Sequence, residues 1–465
     1  MNRASFLRNS VWMGSALFFN PAALWAWPEY SNRHVRYYSP LAESYNDLRA
    51  GFNSRINKHP VCIAVCHDVQ GVQQAIKLAA YFHLAVSVKS GGHCMEGLSC
   101  GEGSMQIIVS GLNKISWLNE QEFLTGPGVR LFELYESMIP RGRILPGGSC
   151  ATVGIGGLTL GGGYGILSRQ FGLTCDHLKA VEMVDGSGRI RRSEEDRDLL
   201  WACKGGGSGQ LGIITQMHFK TERAPKQLSS YRFRTSALNA ARAKEQLKAW
   251  FHYSAQLPGE AFSAFLFNGN HSYILLTNTG KEEAVRFFIE AMKPLHDRFS
   301  ANRNTPLAQA LKNYYGQPHP TRFKNASAGL YRSWQDVQKV ADDIIEMVLK
   351  NRGMIFQWNT AGGNIQNERL ERESCFPHRS YPYFSELQCY WDDEVAGKRL
   401  MQRFVDLQTI LKEKGFTDQY RNYPALEFEN YAQQYYGKYL ARLQELKQRY
   451  DPGNVIRHEQ SIRGV

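Results

Sequence analysis

Three short motifs carry side chains able to do chemistry. His93 ends Lys89-Ser90-Gly91-Gly92-His93, Cys150 ends Gly147-Gly148-Ser149-Cys150, and Tyr423 sits in Arg421-Asn422-Tyr423-Pro424. A neutral imidazole or a thiolate can form a covalent bond to an electrophilic ligand, and a thiolate lined by backbone N–H groups is a competent nucleophile. A phenol has a pKa of about 10 and serves as a base near neutrality only with a cation or hydrogen bonds beside it. Arg421, Arg379 and Lys204 are candidate cations. Read singly, each motif also has a plainer meaning: a turn histidine, a small buried residue and a packed aromatic.

What must position these groups is glycine-rich backbone. From Leu145 to Asp176 glycines alternate with packed apolar residues such as Val153, Ile155, Leu158, Leu160 and Ile166. Glycine permits positive φ and close approach of another group. Many glycines among apolar residues imply a backbone laid against something flat or highly charged. A dinucleotide fits, because its pyrophosphate needs bare N–H groups. The candidate cradle comprises Ser90, Gly91 and Gly92 in the first motif. In the second stretch it comprises Val153, Gly154, Gly156, Gly157, Gly161, Gly162, Gly163 and Gly165.

The two stretches, KSGGH at 89–93 and GGSCATVGIGG through LGGGYGILSRQFGLTCD at 147–176, resemble the flavin-binding signatures of the berberine-bridge-enzyme-like oxidases. That family lies within the vanillyl-alcohol-oxidase, or PCMH-type, FAD enzymes. The similarity continues through WACKGGGSGQLGIIT at 201–215, which contains Ile213, then FPHR at 376–379, RNYP at 421–424 and YYGKYLARLQELKQRYDPGNVIRHEQSI at 435–462. The resemblance implies FAD held bicovalently by His93 and Cys150, with Ile213 and Asn422 also at the flavin. It implies that Tyr423 removes a hydroxyl proton. It further implies that Val153, small and beside the reactive flavin face, admits oxygen.

Composition sets outer bounds. The chain has 465 residues, enough for two or more domains, and 43% hydrophobic residues, enough for a sizeable core. The formal charge is +12, but the basic residues are scattered and form no nucleic-acid patch. Arg3 and Arg8 precede an apolar run from Val11 to Trp27 that is interrupted by Asn20 and Pro21. This is too broken for a membrane span and reads as an export signal over residues 1–27, so the protein is expected to be secreted or periplasmic, without stable membrane insertion. The nine cysteines lack paired metal spacing. Cys62 and Cys66 read as small apolar thiols on a strand, whereas Cys94 and Cys100 read either as a disulfide or as two free thiols.

Periodicity predicts strands at 61–66, 84–88, 106–110, 123–131, 180–185 and 211–219, with a helix capped by Asp68 and another over 134–139. Residues 28–57 read as a covering segment. Ala224-Pro225 marks a boundary. Beyond it, strands are expected at 230–234, 262–268, 272–277, 353–358 and 384–391, and helices at 237–254, 281–298, 334–351 and 395–414. This is an α+β protein, its second lobe an antiparallel sheet covered by helices. With the resemblance, the organisation is a PCMH-type FAD domain over 56–225, a substrate domain over 226–415, and a C-terminal segment over 416–465 that returns to the first. Alternation puts Glu386, Gln388 and Tyr390 on one strand face and Leu387, Cys389 and Trp391 on the other. The resemblance implies a substrate-facing polar group on this strand, for which Glu386 and Gln388 are the candidates.

The resemblance implies an oxidase, expected to use no metal and bind no nucleic acid: a monomer that moves hydride from an alcohol or sugar hemiacetal carbon to flavin and electrons on to oxygen. A tailoring oxidase of secondary metabolism, or a flavin-carrying surface protein with little turnover, are the alternatives.

Overall fold

The computed structural model describes residues 28–317 and 319–465. The expected export signal, residues 1–27, lies outside them. Three main sheets organise the chain. The first runs in the order Glu29–Ser31, Val35–Tyr38, Cys62–Cys66, Met105–Ile108, Val86–Lys89. Its last three strands are parallel. Residues 28–57 therefore do more than cover: Val35 pairs with Cys66 and extends the sheet. The Asp68 carboxylate accepts the Gly71 N–H and caps the helix Val69–Tyr81, as its position predicts. That helix buries Val72, Ala75, Ile76 and Ala79 at helical spacing.

The second sheet is antiparallel, in the order Ile190–Arg192, Leu178–Asp185, Gly212–Lys220, Glu122–Thr125, Ile115–Trp117. The strand expected over 123–131 stops at Thr125, because Gly126 and Pro127 turn the chain into the helix Leu131–Met138. Both glycine motifs lie at the junction of these two sheets.

The third sheet has seven antiparallel strands in the order Arg298–Pro306, Gln227–Thr235, His271–Asn278, Ala261–Asn268, Met354–Thr360, Tyr383–Tyr390, Phe323–Tyr331. The helices Ala240–Ser254, Ala341–Lys350 and Glu394–Glu413 pack on one face around Trp250, Phe265 and Trp358. The other face looks toward the glycine motifs. The helix expected over 281–298 breaks into the short turns Glu282–Val285, Arg286–Met292 and Lys293–Leu295, with Pro294 ending it before the edge strand begins. The chain end returns to the first sheet. The Val86 N–H donates to the Val455 carbonyl at 2.8 Å, and the Arg457 N–H donates to the Val86 carbonyl at 3.1 Å. All nine cysteines are free thiols, so Cys94 and Cys100 form no disulfide.

Buried charge joins the lobes. The Lys324 ammonium, fully buried, lies 2.7 Å from Glu96 and 2.6 Å from Glu427. Arg55 adds a 3.1 Å contact to Glu96. One cluster thus ties the loop after His93, the third sheet and the C-terminal segment together.

Candidate active site

The glycines of the two motifs are explained by contact. A Cβ on Gly91 would lie 2.3 Å from the Gly154 nitrogen, and one on Gly154 would lie 2.0 Å from Ser90 Oγ. The two loops therefore pack backbone against backbone, and no side chain fits between them. Together they form one wall of a cavity of about 540 Å³. Ser90, Gly91, Gly92 and His93 line it from the first motif. Cys150, Val153, Gly154, Gly156, Gly157 and Gly165 line it from the second, with Ile213 beside them. Gly161, Gly162 and Gly163 are placed differently from the sequence expectation. They stand behind the wall, where a Cβ would strike Asn422, Phe376 and Thr174 respectively. Their smallness serves packing.

His93 Nε2 is 2.8 Å from Thr152 Oγ1, and its ring stacks on Phe52 with centroids 4.2 Å apart. Burial, with the Arg130 cation second, lowers its pKa to about 4. The imidazole is neutral at pH 7 and keeps a lone pair for bond formation. Cys150 departs from the thiolate expectation. Burial first, then the Glu386 carboxylate, pushes its thiol above the ordinary value.

The facing wall comes from the third sheet and the RNYP turn. Glu386, Gln388 and Tyr390 all line the cavity, as alternation predicts, while Leu387 and Cys389 are buried on the opposite face. Asn325 Nδ2 donates to Glu386 Oε2 at 3.0 Å. Asn325 Oδ1 is buried with no hydrogen-bond partner. Asn359 Nδ2 donates to the Tyr164 hydroxyl at 3.1 Å, and Gln357 Nε2 donates to Asn359 Oδ1 at 2.7 Å. Glu386 is 7% exposed, and burial raises its carboxyl above the usual carboxylate range, with the Asn325 and Asn359 amides opposing.

Tyr423 lines the same cavity. Its ring meets Tyr420 edge-on at 5.0 Å and Tyr164 at 6.0 Å. Burial, then Glu386, then the neighbouring phenols push its pKa well above 10. The expected cations are elsewhere. Arg379 is spent on Asp176, to which Nη1 donates at 3.1 Å, and Lys204 is buried near Cys175 and Asp176. Arg421 lines the cavity but donates Nε to the Tyr436 hydroxyl at 2.9 Å. Its Nη2 lies 3.3 Å from His458 Nε2. The Gln460 N–H donates to His458 Nδ1 at 3.1 Å, so in the neutral ring Nε2 carries the proton and cannot accept. Burial holds His458 neutral. Arg421 is thus a 6%-exposed cation with guanidinium donors left over beside the cavity.

Asn422 Nδ2 donates to the Leu158 carbonyl and the Tyr420 hydroxyl, each at 3.0 Å, and pins the RNYP turn to the glycine stretch. Sequence reasoning missed Tyr164, Asn325, Gln357 and Asn359. Tyr164 was visible inside LGGGYG, where a lone aromatic among glycines is conspicuous.

The residues fit an FAD. Gly157 lines the cavity with open space where its Cβ would be, so a ligand can reach the backbone there. His93 and Cys150 border the same space, and Arg421 offers charge to an anion.

Comparison with known proteins bears on the same point. A family model described as FAD binding domain matches residues 60–194, and one described as Berberine and berberine like matches residues 419–463. The chain is an FAD-linked oxidoreductase similar to the berberine-bridge-enzyme-like proteins. It is 29% identical over 459 residues to an uncharacterized FAD-linked oxidoreductase of Bacillus subtilis, covering 90% of this chain and 95% of that one. It is 27% identical over 458 residues to a carbohydrate oxidase of Microdochium nivale, covering 89% and 90%. The crystal structure of aclacinomycin oxidoreductase superposes with a TM-score of 0.84 over 93% of this chain and 100% of its own, at 24% identity. The α+β, PCMH-type architecture expected from the sequence is the one the fold has.

Proposed function

We propose that this oxidoreductase is an oxidase of alcohol or hemiacetal carbons, with molecular oxygen as electron acceptor and peroxide as product. The observation that carries the reading is the meeting of two walls in one cavity: His93 and Cys150 on one side, Tyr423 and Glu386 on the other. The carbohydrate oxidase relative supports an oxygenated substrate. FAD, when bound, supplies the acceptor for hydride and passes the electrons to oxygen. His93 and Cys150 would each tether it covalently.

The chain's own part is proton management. Tyr423 Oη receives the substrate's hydroxyl proton. Its raised pKa means that it starts as a phenol, so it must pass its own proton on as it accepts another. Glu386, the buried carboxylate whose charge helps raise the Tyr423 pKa, takes up the proton that Tyr423 passes on and keeps it inside the cavity. Asn325 and Asn359 hold Glu386 and Tyr164 in place. Val153, small and at the cavity wall, leaves room for oxygen. The reading includes export, on the strength of the basic and apolar first 27 residues, and a monomeric state.

Oxygen uptake and peroxide release over a panel of sugars, oligosaccharides and aromatic alcohols test it. Stoichiometric peroxide supports the oxidase. Fast reduction of a quinone or dye with slow reoxidation in air makes the protein a dehydrogenase.

A further inference from the structure

The cavity face of the third sheet changes character along two cross-strand rows. In one row Leu275 stands opposite Ala264, and Ala264 opposite Asn359. In the other Leu266 stands opposite Gln357, and Gln357 opposite Glu386. Both rows pass from apolar to polar at the same place, between Ala261–Asn268 and Met354–Thr360. Phe262, Ala264, Leu266 and Leu275 line one half of this face, and Gln357, Asn359, Glu386 and Asn325 the other. Tyr314 borders the cavity as well, its hydroxyl paired with Ser230.

The polar half is built for a hydroxylated group. Asn325, only 5% exposed, keeps an acceptor oxygen without a donor, and Tyr423 and Glu386 stand beside it. The apolar half offers a hydroxyl nothing. A sugar ring laid over Phe262, Ala264, Leu266 and Leu275 would lose water from its hydroxyls without replacement. An apolar ring there gains about 25 cal/mol per Å² covered.

Building on the oxidase reading above, we propose that the substrate is an amphipathic alcohol. Its oxidised carbinol or hemiacetal carbon lies among other hydroxyls in the polar half. An apolar ring or chain attached to that part lies over the Phe262–Leu275 half. A plain oligosaccharide satisfies only the first requirement.

The test uses the FAD-loaded full chain and compounds that all keep a free anomeric carbon: glucose, cellobiose and 6-O-benzoylglucose. We expect kcat/KM for 6-O-benzoylglucose to exceed that for glucose and cellobiose by about 10- to 100-fold, the worth of one buried apolar group. Leu266→Asn and Ala264→Asn, checked for retained flavin absorbance, should each pull that ratio toward one. Cellobiose performing as well as the benzoylated sugar overturns the proposal. So does a ratio unmoved in both variants, the result if the flavin ring itself covers the apolar half. Should none of the three reduce the flavin, the oxidase reading fails for this panel. Equilibrium binding, read from perturbation of the flavin absorbance, then decides the substrate question alone: tighter binding of 6-O-benzoylglucose than of glucose upholds it, and equal binding overturns it.

Discussion

Asn325 donates to Glu386 from the adjacent strand at 3.0 Å, and the two residues stand in the same cavity as Tyr423. The carboxylate therefore has amide hydrogen bonds but no cation among the groups that shift it. A buried acid held this way is poised to take up a proton, and the tests below start from that.

Tyr423→Phe should leave the flavin bound and slow its anaerobic reduction by about 10²- to 10⁴-fold, the worth of a positioned acid or base. Glu386→Gln should slow it less, and should remove the acid limb of the rate profile. The limb arises because Glu386 must be ionised to accept a proton, so in the parent the rate falls as pH drops through its raised pKa. Stopped-flow reduction across pH measures both. Loss of reduction in Glu386→Gln with Tyr423→Phe intact would move the base to the 383–390 strand.

The same carboxyl has a stability signature. Its folded pKa lies above its unfolded value, so the protonated form is favoured in the folded state. The contribution is complete below the unfolded pKa and is lost as pH rises through the folded one. Glu386→Gln should therefore melt higher than the parent at pH 7, and the difference should close below about pH 4, under the unfolded pKa of about 4.3. Thermal melts at the two pH values decide it.

His93→Ala or Cys150→Ala alone should leave FAD attached by one bond, and the double variant should release it on acid precipitation. Intact-protein mass should exceed the chain by one FAD in the parent and in both single variants. Complete release from the parent protein ends the bicovalent claim.

Arg421→Met should weaken whatever negative charge the cofactor presents to that guanidinium. A unit charge about 5 Å away at an effective dielectric constant of about 20 contributes about 3 kcal/mol, or about 10²-fold. We expect flavin–sulfite affinity to fall by about 10- to 100-fold if the charge is on the flavin ring. FAD lost during purification, with sulfite affinity unchanged in the retained fraction, would assign Arg421 to the pyrophosphate.

Gly154→Ala should abolish folding or cofactor loading. Its Cβ would meet Ser90 Oγ at 2.0 Å, and overpacking this severe between two backbones costs more than about 3 kcal/mol. Gly157→Ala has open space and should fold, yet load FAD poorly. Normal folding and loading of both would remove the backbone-cradle explanation.

Much of this was legible in the sequence, and the failures have physical causes. The strand Tyr383–Tyr390 declared itself because it is polar on one face and apolar on the other, which placed Glu386 and Gln388 correctly in the cavity wall. Its neighbour Phe323–Tyr331 did not. All nine of its residues are buried, so it shows no alternation, and Lys324 and Asn325 in it look like surface residues. Their partners, Glu96 and Glu386, are 228 and 61 residues away, beyond any local pattern. The pairing of Tyr164 with Asn359 was hidden for the same reason, since the two lie 195 residues apart. Arg298–Pro306 was not read as a strand, and only its first residue fell inside the helix expected over 281–298, because an exposed edge strand carries no apolar face to betray it.

Residues 455–457 give the fold an order in time. Val86 is bracketed by Val455 and Arg457, so the strand that leads into the His93 loop gains its final neighbour only once the chain has been made through residue 457. The seat for the cofactor is then closed after its motifs are synthesised, not as they emerge. A ribosome stalled before residue 455 would carry a chain with every flavin-facing motif already made and no finished seat for the flavin.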